Sequence, residues 1–194
     1  MKITYNSPVI LTYALIATAV MFLADIALGE GFIHTFFSVS PQSNFTNPIS
    51  FLTLTTHAIG HANWPHLVGN FTFILLLGPL IEEKYGSQLL LIMMFITAFV
   101  TGILNVTLFS TGLLGASGIV FMLILLSSMT NFKSGTIPLT FILIVTLFIG
   151  KEVITSLQAD NISQFAHIIG GIFGAVFGFI FGRTDEPVNL SHPY

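Results

Sequence analysis

The sequence contains no cysteine, few charged residues and very few cations. Of its 194 residues 7% are charged, with five Lys and Arg against eight Asp and Glu, and the formal net charge is -3. The absence of cysteine excludes disulfides, thiolate catalysis and cysteine-based metal sites. So few cations cannot form the basic face that nucleic acid requires. Because a soluble domain carries roughly a quarter charged residues, this composition also excludes a surface that is exposed to water throughout.

Most residues of the chain are apolar. Hydrophobic residues make up 54% of the chain, and the mean hydropathy is +0.92. Since a membrane span needs roughly 20 apolar residues, the sequence predicts an all-α polytopic membrane protein with a single domain over residues 1–194. No A-x-A-like cleavage site follows the first apolar run, which is therefore interpreted as an anchor rather than a removed signal peptide. The predicted spans lie near residues 8–28, 65–81, 88–109, 117–129, 137–157 and 164–181.

The cations predict an orientation in the membrane. They flank both ends of the chain and the second and fourth linkers, at Lys2, Lys84, Lys133 and Arg183. The first, third and fifth linkers contain no Lys or Arg, so the positive-inside rule predicts that both termini are cytoplasmic. Lys151 is an exception, which its neighbour Glu152 and snorkelling to the interface explain. The long first linker is rich in Phe and nearly uncharged, and we expect it to lie in the membrane interface.

The fourth predicted span is too short to cross a bilayer. It is apolar for about 13 residues, or ~20 Å, against a hydrocarbon core of ~30 Å. The span begins with "GASG" and ends near Lys133, so it must begin below the outer surface, and the loop before it must dip into the protein. Ser117 is therefore predicted at a helix N-terminus within the membrane thickness, where unpaired backbone N–H groups could hold an oxyanion.

Polar side chains open two other spans on the same predicted side of the membrane. His66 and Asn70 are four residues apart and share one helix face, and His167 lies about one turn inside the sixth span. Each of them alone is explained most simply as a buried polar residue that bonds a neighbouring helix. Together with a serine at the same depth they indicate a functional site, because polar groups inside a membrane are costly.

A glycine ridge predicts how these groups meet. Glycines recur every four residues along the sixth span, at Gly170, Gly174, Gly178 and Gly182. Such small-xxx-small ridges let helix backbones approach closely. His167 projects from the same face as the ridge, and small residues also surround Ser117. We therefore expect the sixth span to press against the fourth, with a more open environment around Gly182 at the far end.

These motifs together resemble the rhomboid intramembrane serine proteases, through "HANWPHLVGN", "EEKYGS", "GASG" and "AHIIGGIFG" in this order. The resemblance implies a six-helix rhomboid-like bundle in a bacterial plasma membrane, with an active site open to the outer face and no cofactor. It implies Ser117 as nucleophile and His167 as general base, without an acidic third member. By the same resemblance His66, Asn70 and the Ser117 backbone N–H would form the oxyanion hole, and Gly115 would shape the loop.

The resemblance also implies supporting roles and shows two departures. Glu82 would accept hydrogen bonds at a helix end, and His57 and His61 would order the first linker. Many family members carry a Tyr four residues after the serine, where this chain has Phe121. The Trp-Arg pair that often precedes the position of His57 is replaced by Leu52 and Thr53.

Several alternatives remain open from the sequence. A zinc protease could use His57, His61 and His66, although the segment lacks the glutamate of H-E-x-x-H. A diiron oxygenase needs more histidines than the six present. A non-catalytic rhomboid-like scaffold that binds membrane helices is the main rival, but such relatives typically lose the serine or the histidine. The expected partners are the lipid bilayer and membrane proteins whose transmembrane helix is weakened near its outer end; the oligomeric state stays open.

Overall fold

The computed structural model describes residues 3–41, 43–129, 137–149 and 161–182. These residues form eight α-helices and one isolated antiparallel β-bridge. The helices are α1 (Pro8–Leu23, continued as a π-helical turn over Ala24–Leu28), α2 (Glu30–Phe37), α3 (Pro48–Thr56), α4 (Trp64–Tyr85), α5 (Ser87–Leu108), α6 (Ser117–Ser128), α7 (Leu139–Ile144, continued as a π-helical turn over Val145–Ile149) and α8 (Asn161–Phe181).

Four of the predicted spans are confirmed as helices long and apolar enough to cross a membrane. They cover Pro8–Leu28, Trp64–Tyr85, Ser87–Leu108 and Gln164–Phe181. Helix α6 is apolar but shorter, as its length in the sequence predicts. The predicted fifth span, 137–157, begins as α7, and its part beyond residue 149 lies outside the described residues. Lys2, Lys133, Lys151 and Arg183 also lie outside them, so the six-span count and the orientation stay predictions.

The first linker folds into two short helices, α2 and α3, rather than remaining an extended loop. The start of α3 has a clear local cause. Asn47 precedes Pro48, and its side-chain oxygen accepts the N–H of Ile49 at 3.0 Å. An Asn cap followed by Pro in the first turn is a typical helix start.

The connection between the second and third spans is shorter than the predicted linker "EEKYGS". Helix α4 continues through Tyr85, and Gly86 alone turns the chain, with a φ of 81° that favours glycine, before α5 begins. Glu82 therefore lies inside α4, where its carboxylate accepts the N–H groups of Val9 and Ile10 at 3.0 and 3.1 Å. This contact caps the start of α1 and confirms that Glu82 is a helix-end acceptor.

Helix α6 forms the centre of the bundle, because nearly all its residues are buried, and α8 packs directly on it. At Gly170 an added Cβ would meet the backbone of Gly118, lying 2.8 Å from its carbonyl carbon and 2.9 Å from its Cα. At Gly174 a Cβ would lie 2.9 Å from the Leu125 Cβ. The expected close approach of the two helices is thus confirmed.

The expectation of an open environment around Gly182 is wrong. Gly182 is buried, and its N–H donates to the Gly178 carbonyl at 2.9 Å. A Cβ at Gly182 would meet that carbonyl oxygen and would lie 3.5 Å from the carbonyl oxygen of Met129. The ridge remains in contact with the end of α6 because α6 extends almost to the same level.

Candidate active site

The loop before Ser117 is held inside the protein by backbone hydrogen bonds. Val39 and Leu113 exchange two bonds, of 2.9 and 3.1 Å, in the isolated β-bridge. The side-chain amide of Asn105 donates to the Thr111 carbonyl at 2.9 Å. Helix α6 then begins at Ser117, as predicted, and the serine is half-buried. The loop and the first linker therefore fix the position at which the serine enters the helix.

Two histidines bind the residues immediately before the serine. The Gly115 N–H donates to the His57 carbonyl at 2.9 Å, and the Ala116 N–H donates to His61 Nε2 at 3.4 Å. The His57 ring in turn bonds the Ala98 carbonyl of α5 at 3.0 Å. These bonds tie the two histidines to α5 and to the loop before Ser117, while their ordering of the first linker stays a prediction. The expectation that the N–H groups around Ser117 are unpaired needs correction, because those of Gly115 and Ala116 have acceptors.

His66 and Asn70 meet at Gly115. This glycine has a φ of 116°, and a Cβ there would lie 2.6 Å from His66 Cε1 and 3.7 Å from Asn70 Nδ2. Any side chain at position 115 would thus displace His66, and the backbone conformation of this glycine is one that L residues rarely adopt. The Asn70 Nδ2 is buried and has no hydrogen-bond partner within the described part of the chain. A buried donor without a partner is costly, which favours a functional role.

The His167 ring lies against the first turn of α6. It stacks on Phe121, with ring centroids 4.3 Å apart and an interplanar angle of 10°. Phe121 is four residues after Ser117 and therefore lies one turn along the same helix face. Phe121 thus places an aromatic ring against His167, at the position where the resemblance implies a tyrosine. Gly118, the residue after Ser117, lies in close backbone approach to Gly170, which is three residues after His167.

Residues 48–184 match the family model of the Rhomboid domain, which covers well over half of the chain. The chain belongs to the rhomboid family. It is accordingly a multi-pass membrane protein of a family whose members are generally serine intramembrane proteases. No curated protein matches the chain.

One polar feature of this rhomboid was missed in the sequence. Thr97, Thr101 and Asn105 recur every four residues on α5, and all are at most 2% exposed. A Cβ at Gly118, the residue after the candidate nucleophile, would lie 3.8 Å from the Thr101 hydroxyl. The signal was available, because three polar residues at helical spacing interrupt one face of an otherwise apolar span.

Leu52 and Thr53, which stand in place of the Trp-Arg pair, differ in their exposure on α3. Leu52 is 51% exposed, whereas Thr53 is buried and its hydroxyl donates to the Ser50 carbonyl at 3.0 Å. Thr53 also lines a cavity with polar residues of the first linker. The Thr53 carbonyl accepts the N–H of His57 at 3.2 Å, so α3 connects to the groups around Ser117 through its backbone.

Burial changes the titration of His57 and His61, which lie between α3 and α4, outside the candidate spans. It lowers the pKa of His57 to about 4. Burial also lowers the pKa of His61 to about 4, and the neighbouring His66 contributes further. Their rings lie where a positive charge is poorly solvated. Both histidines are therefore neutral at physiological pH.

Acid is expected to destabilise the fold through these two histidines. Since their folded-state pKa values lie below the usual 6.5, the unfolded chain binds more protons between pH 6.5 and 4. Stability is then present above pH 6.5 and is lost as the pH falls, by at most about 3 kcal/mol for each group. Melting temperatures in detergent between these pH values test this. The exposed His34, replaced by Gln, is the control that should keep the same loss; a pH-independent melting temperature would contradict the prediction.

Proposed function

We propose that the protein is an intramembrane serine endopeptidase with a Ser117–His167 dyad. The observation that carries this proposal is that an imidazole, His167, and a buried amide nitrogen, Asn70 Nδ2, both lie near the start of α6, and that this nitrogen has no hydrogen-bond partner among the described residues. In the proposed reaction Ser117 Oγ attacks the scissile carbonyl carbon while His167 accepts its proton. The same proton passes to the leaving amine, and water then hydrolyses the acyl-enzyme to release the acid and restore the serine.

The oxyanion would be held by His66, Asn70 and the backbone N–H of Ser117. Donors aimed at the developing charge stabilise a transition state more than a ground state. The preference for glycine at position 115 supports this role, because a side chain there would displace His66. The N–H of Ala116 is bound by His61, which supports Ser117 itself as the backbone donor.

The proposed substrates are membrane proteins whose transmembrane helix is weakened near its outer end. A protease can act only on an extended segment, and unwinding a helix in lipid exposes unsatisfied backbone groups. Gly, Ala, Ser or Pro near the cleavage site would reduce this cost. With both termini cytoplasmic in a bacterial plasma membrane, the site would open to the outer face, where water enters.

The contacts of His61 favour this mechanism over a zinc protease. Its Nδ1 lies 3.1 Å from the Ile59 carbonyl and its Nε2 accepts the Ala116 N–H, so both ring nitrogens have protein partners. Among the described residues no three His, Asp or Glu side chains form a group that could hold a metal ion. A non-catalytic scaffold would not need a base beside the serine, and this chain retains both Ser117 and His167.

Reconstituted proteolysis tests the proposed function. The purified protein in liposomes is expected to cleave a transmembrane substrate that contains Gly and Ala near its outer end, and to cleave a uniformly Leu-rich helix far more slowly. The rate should be unchanged after exhaustive treatment with EDTA or phenanthroline. Binding without cleavage would support the scaffold, and activity that chelators remove and zinc restores would support the metalloprotease.

Loss of the Asn70 amide is expected to slow the chemical step. Removing one oxyanion donor typically costs ~100–1,000-fold in rate, and His66 can cover part of that loss. Asn70→Ala should therefore lower kcat and leave KM nearly unchanged. Thr72→Ala is a suitable control, because Thr72 lies two residues along α4 and its hydroxyl bonds only the Val68 carbonyl of its own helix. An unchanged kcat in Asn70→Ala would assign the amide a structural role.

A further inference from the structure

A cavity separate from Ser117 and His167 opens between the end of α1, α2 and the start of α4. Its volume is about 410 Å³, which lies in the range of ligand pockets, about 300–1,000 Å³. The floor is apolar and is formed by the buried side chains of Met21, Ala24 and Ile33. Two exposed carboxylates, Asp25 and Glu30, lie at the rim. The cavity thus combines an apolar interior with a negatively charged opening.

No Lys or Arg among the described residues lines the cavity. The sequence contains no Lys or Arg from residue 3 to residue 83. Lys84 is the one such cation among the described residues, and it lies at the opposite end of α4 from the cavity-lining Trp64. The Trp64 indole N–H donates to Asp25 Oδ2 at 3.3 Å and leaves the other carboxylate oxygen available. A cationic ligand would balance the negative charge of this rim.

The cavity shares a wall with the candidate active site. His61 and Leu114 both line it. His61 binds the Ala116 N–H, and Leu114 is three residues before Ser117 in the loop that leads to the serine. A group in the cavity would therefore contact the loop that positions the nucleophile. The cavity therefore lies beside the residues that precede Ser117.

We propose that this cavity is a subsite for a lysine side chain of the substrate, which rests on the proposed function. A lysine combines a four-carbon apolar stem with a terminal ammonium, and such side chains bury the stem while the charge stays at a polar boundary. The stem would pack on Met21 and Ile33, and the ammonium would lie between Asp25 and Glu30. Transmembrane proteins with a lysine close to the outer end of the helix are the substrate class that this chemistry selects.

Peptide binding to the Ser117→Ala protein tests the subsite independently of cleavage. Fluorescent peptides of a transmembrane segment carry lysine or norleucine at each position in turn on both sides of the intended scissile bond. Norleucine keeps the stem and lacks the charge. We expect lysine at one position, or two adjacent ones, to lower Kd about five-fold relative to norleucine, the size expected for partly exposed ion pairs. In the active protein the ratio of kcat/KM should favour lysine at the same position.

The isosteric variants Asp25→Asn and Glu30→Gln should each reduce the ratio of the affinity for the lysine peptide to the affinity for the norleucine peptide. Glu83→Gln removes the same charge at an exposed position at the other end of α4 and should leave the ratio unchanged. Equal Kd values for the two peptides at every position would overturn the subsite, as would a lysine preference that survives both variants. If the protein binds the lysine peptide more tightly but cleaves no substrate, the proposed function is wrong and the subsite is not.

The ammonium could also come from a lipid headgroup, and vesicles of defined composition distinguish the sources. A substrate subsite retains the lysine preference in vesicles with ethanolamine headgroups as it does in vesicles with glycerol headgroups. If ethanolamine lipid abolishes the preference, the headgroup occupies the cavity and the assignment to a substrate lysine is wrong.

Discussion

Ser117→Ala and His167→Ala are each expected to abolish proteolysis while leaving the fold intact. Removing a nucleophile or its base costs on the order of a thousand-fold or more in rate. The fold should persist because Ser117 is half-buried and begins a helix whose stability comes from the buried residues that follow it. Initial rates of cleavage of a transmembrane substrate, with circular dichroism and melting temperature, measure both effects.

Ser128→Ala is the matched control for the serine. Ser128 ends the same helix, and its hydroxyl donates to the Leu125 carbonyl of that helix at 2.6 Å. Its loss should leave the rate within a few-fold of the wild type. If Ser117→Ala or His167→Ala retained more than a few per cent of the activity, the dyad assignment would be wrong.

Gly170→Leu is expected to reduce hydrolysis about 100-fold by separating α6 from α8. Even the first carbon of the new side chain would meet the backbone of Gly118, the residue next to Ser117. Because backbone cannot move aside as a flexible side chain can, the helices must shift apart. A ~1 Å displacement of a catalytic group can cost ~100-fold in rate. Initial rates, with melting temperatures to record the accompanying loss of stability, measure this effect.

Gly69→Leu provides the control for the glycine substitution. Gly69 is exposed within α4, and a Cβ there would have no atom within 4 Å. A larger side chain at that position should leave the packing of α6 and α8 unchanged. Equal rates in Gly170→Leu and Gly69→Leu would mean that close approach of the two helices does not govern the positions of Ser117 and His167.

The start of α6 at Ser117 could be predicted from the length of the apolar segment that follows it. Too few apolar residues follow Ser117 to span a bilayer, so the helix had to begin within the protein. The glycine spacing predicted the contact of α8 with α6 for a similar local reason. Its extent could not be predicted, since the burial of Gly182 depends on how far α6 continues beside it.

Contacts between residues far apart in the chain could not be predicted from the sequence. The bond from the Ala116 N–H to His61 joins residues 55 positions apart, and no local pattern encodes such a pair. The turn at Gly86 was misjudged for a different reason. Charged residues suggested a linker, whereas Glu82 lies inside α4 and accepts N–H groups at the start of α1 across the bundle. The polar stripe of Thr97, Thr101 and Asn105 could have been found, since its spacing of four is visible in the sequence.

Labelling with a fluorophosphonate probe tests most directly whether Ser117 is an activated nucleophile. Such a probe forms a covalent bond with the serine hydroxyl only where a base and an oxyanion site assist the attack. The wild-type protein in detergent is expected to be labelled at Ser117, as identified by mass spectrometry of the modified peptide, whereas Ser117→Ala and His167→Ala are expected to remain unlabelled. Labelling that persists in Ser117→Ala, or no labelling of a wild-type protein that binds transmembrane helices, would contradict this expectation.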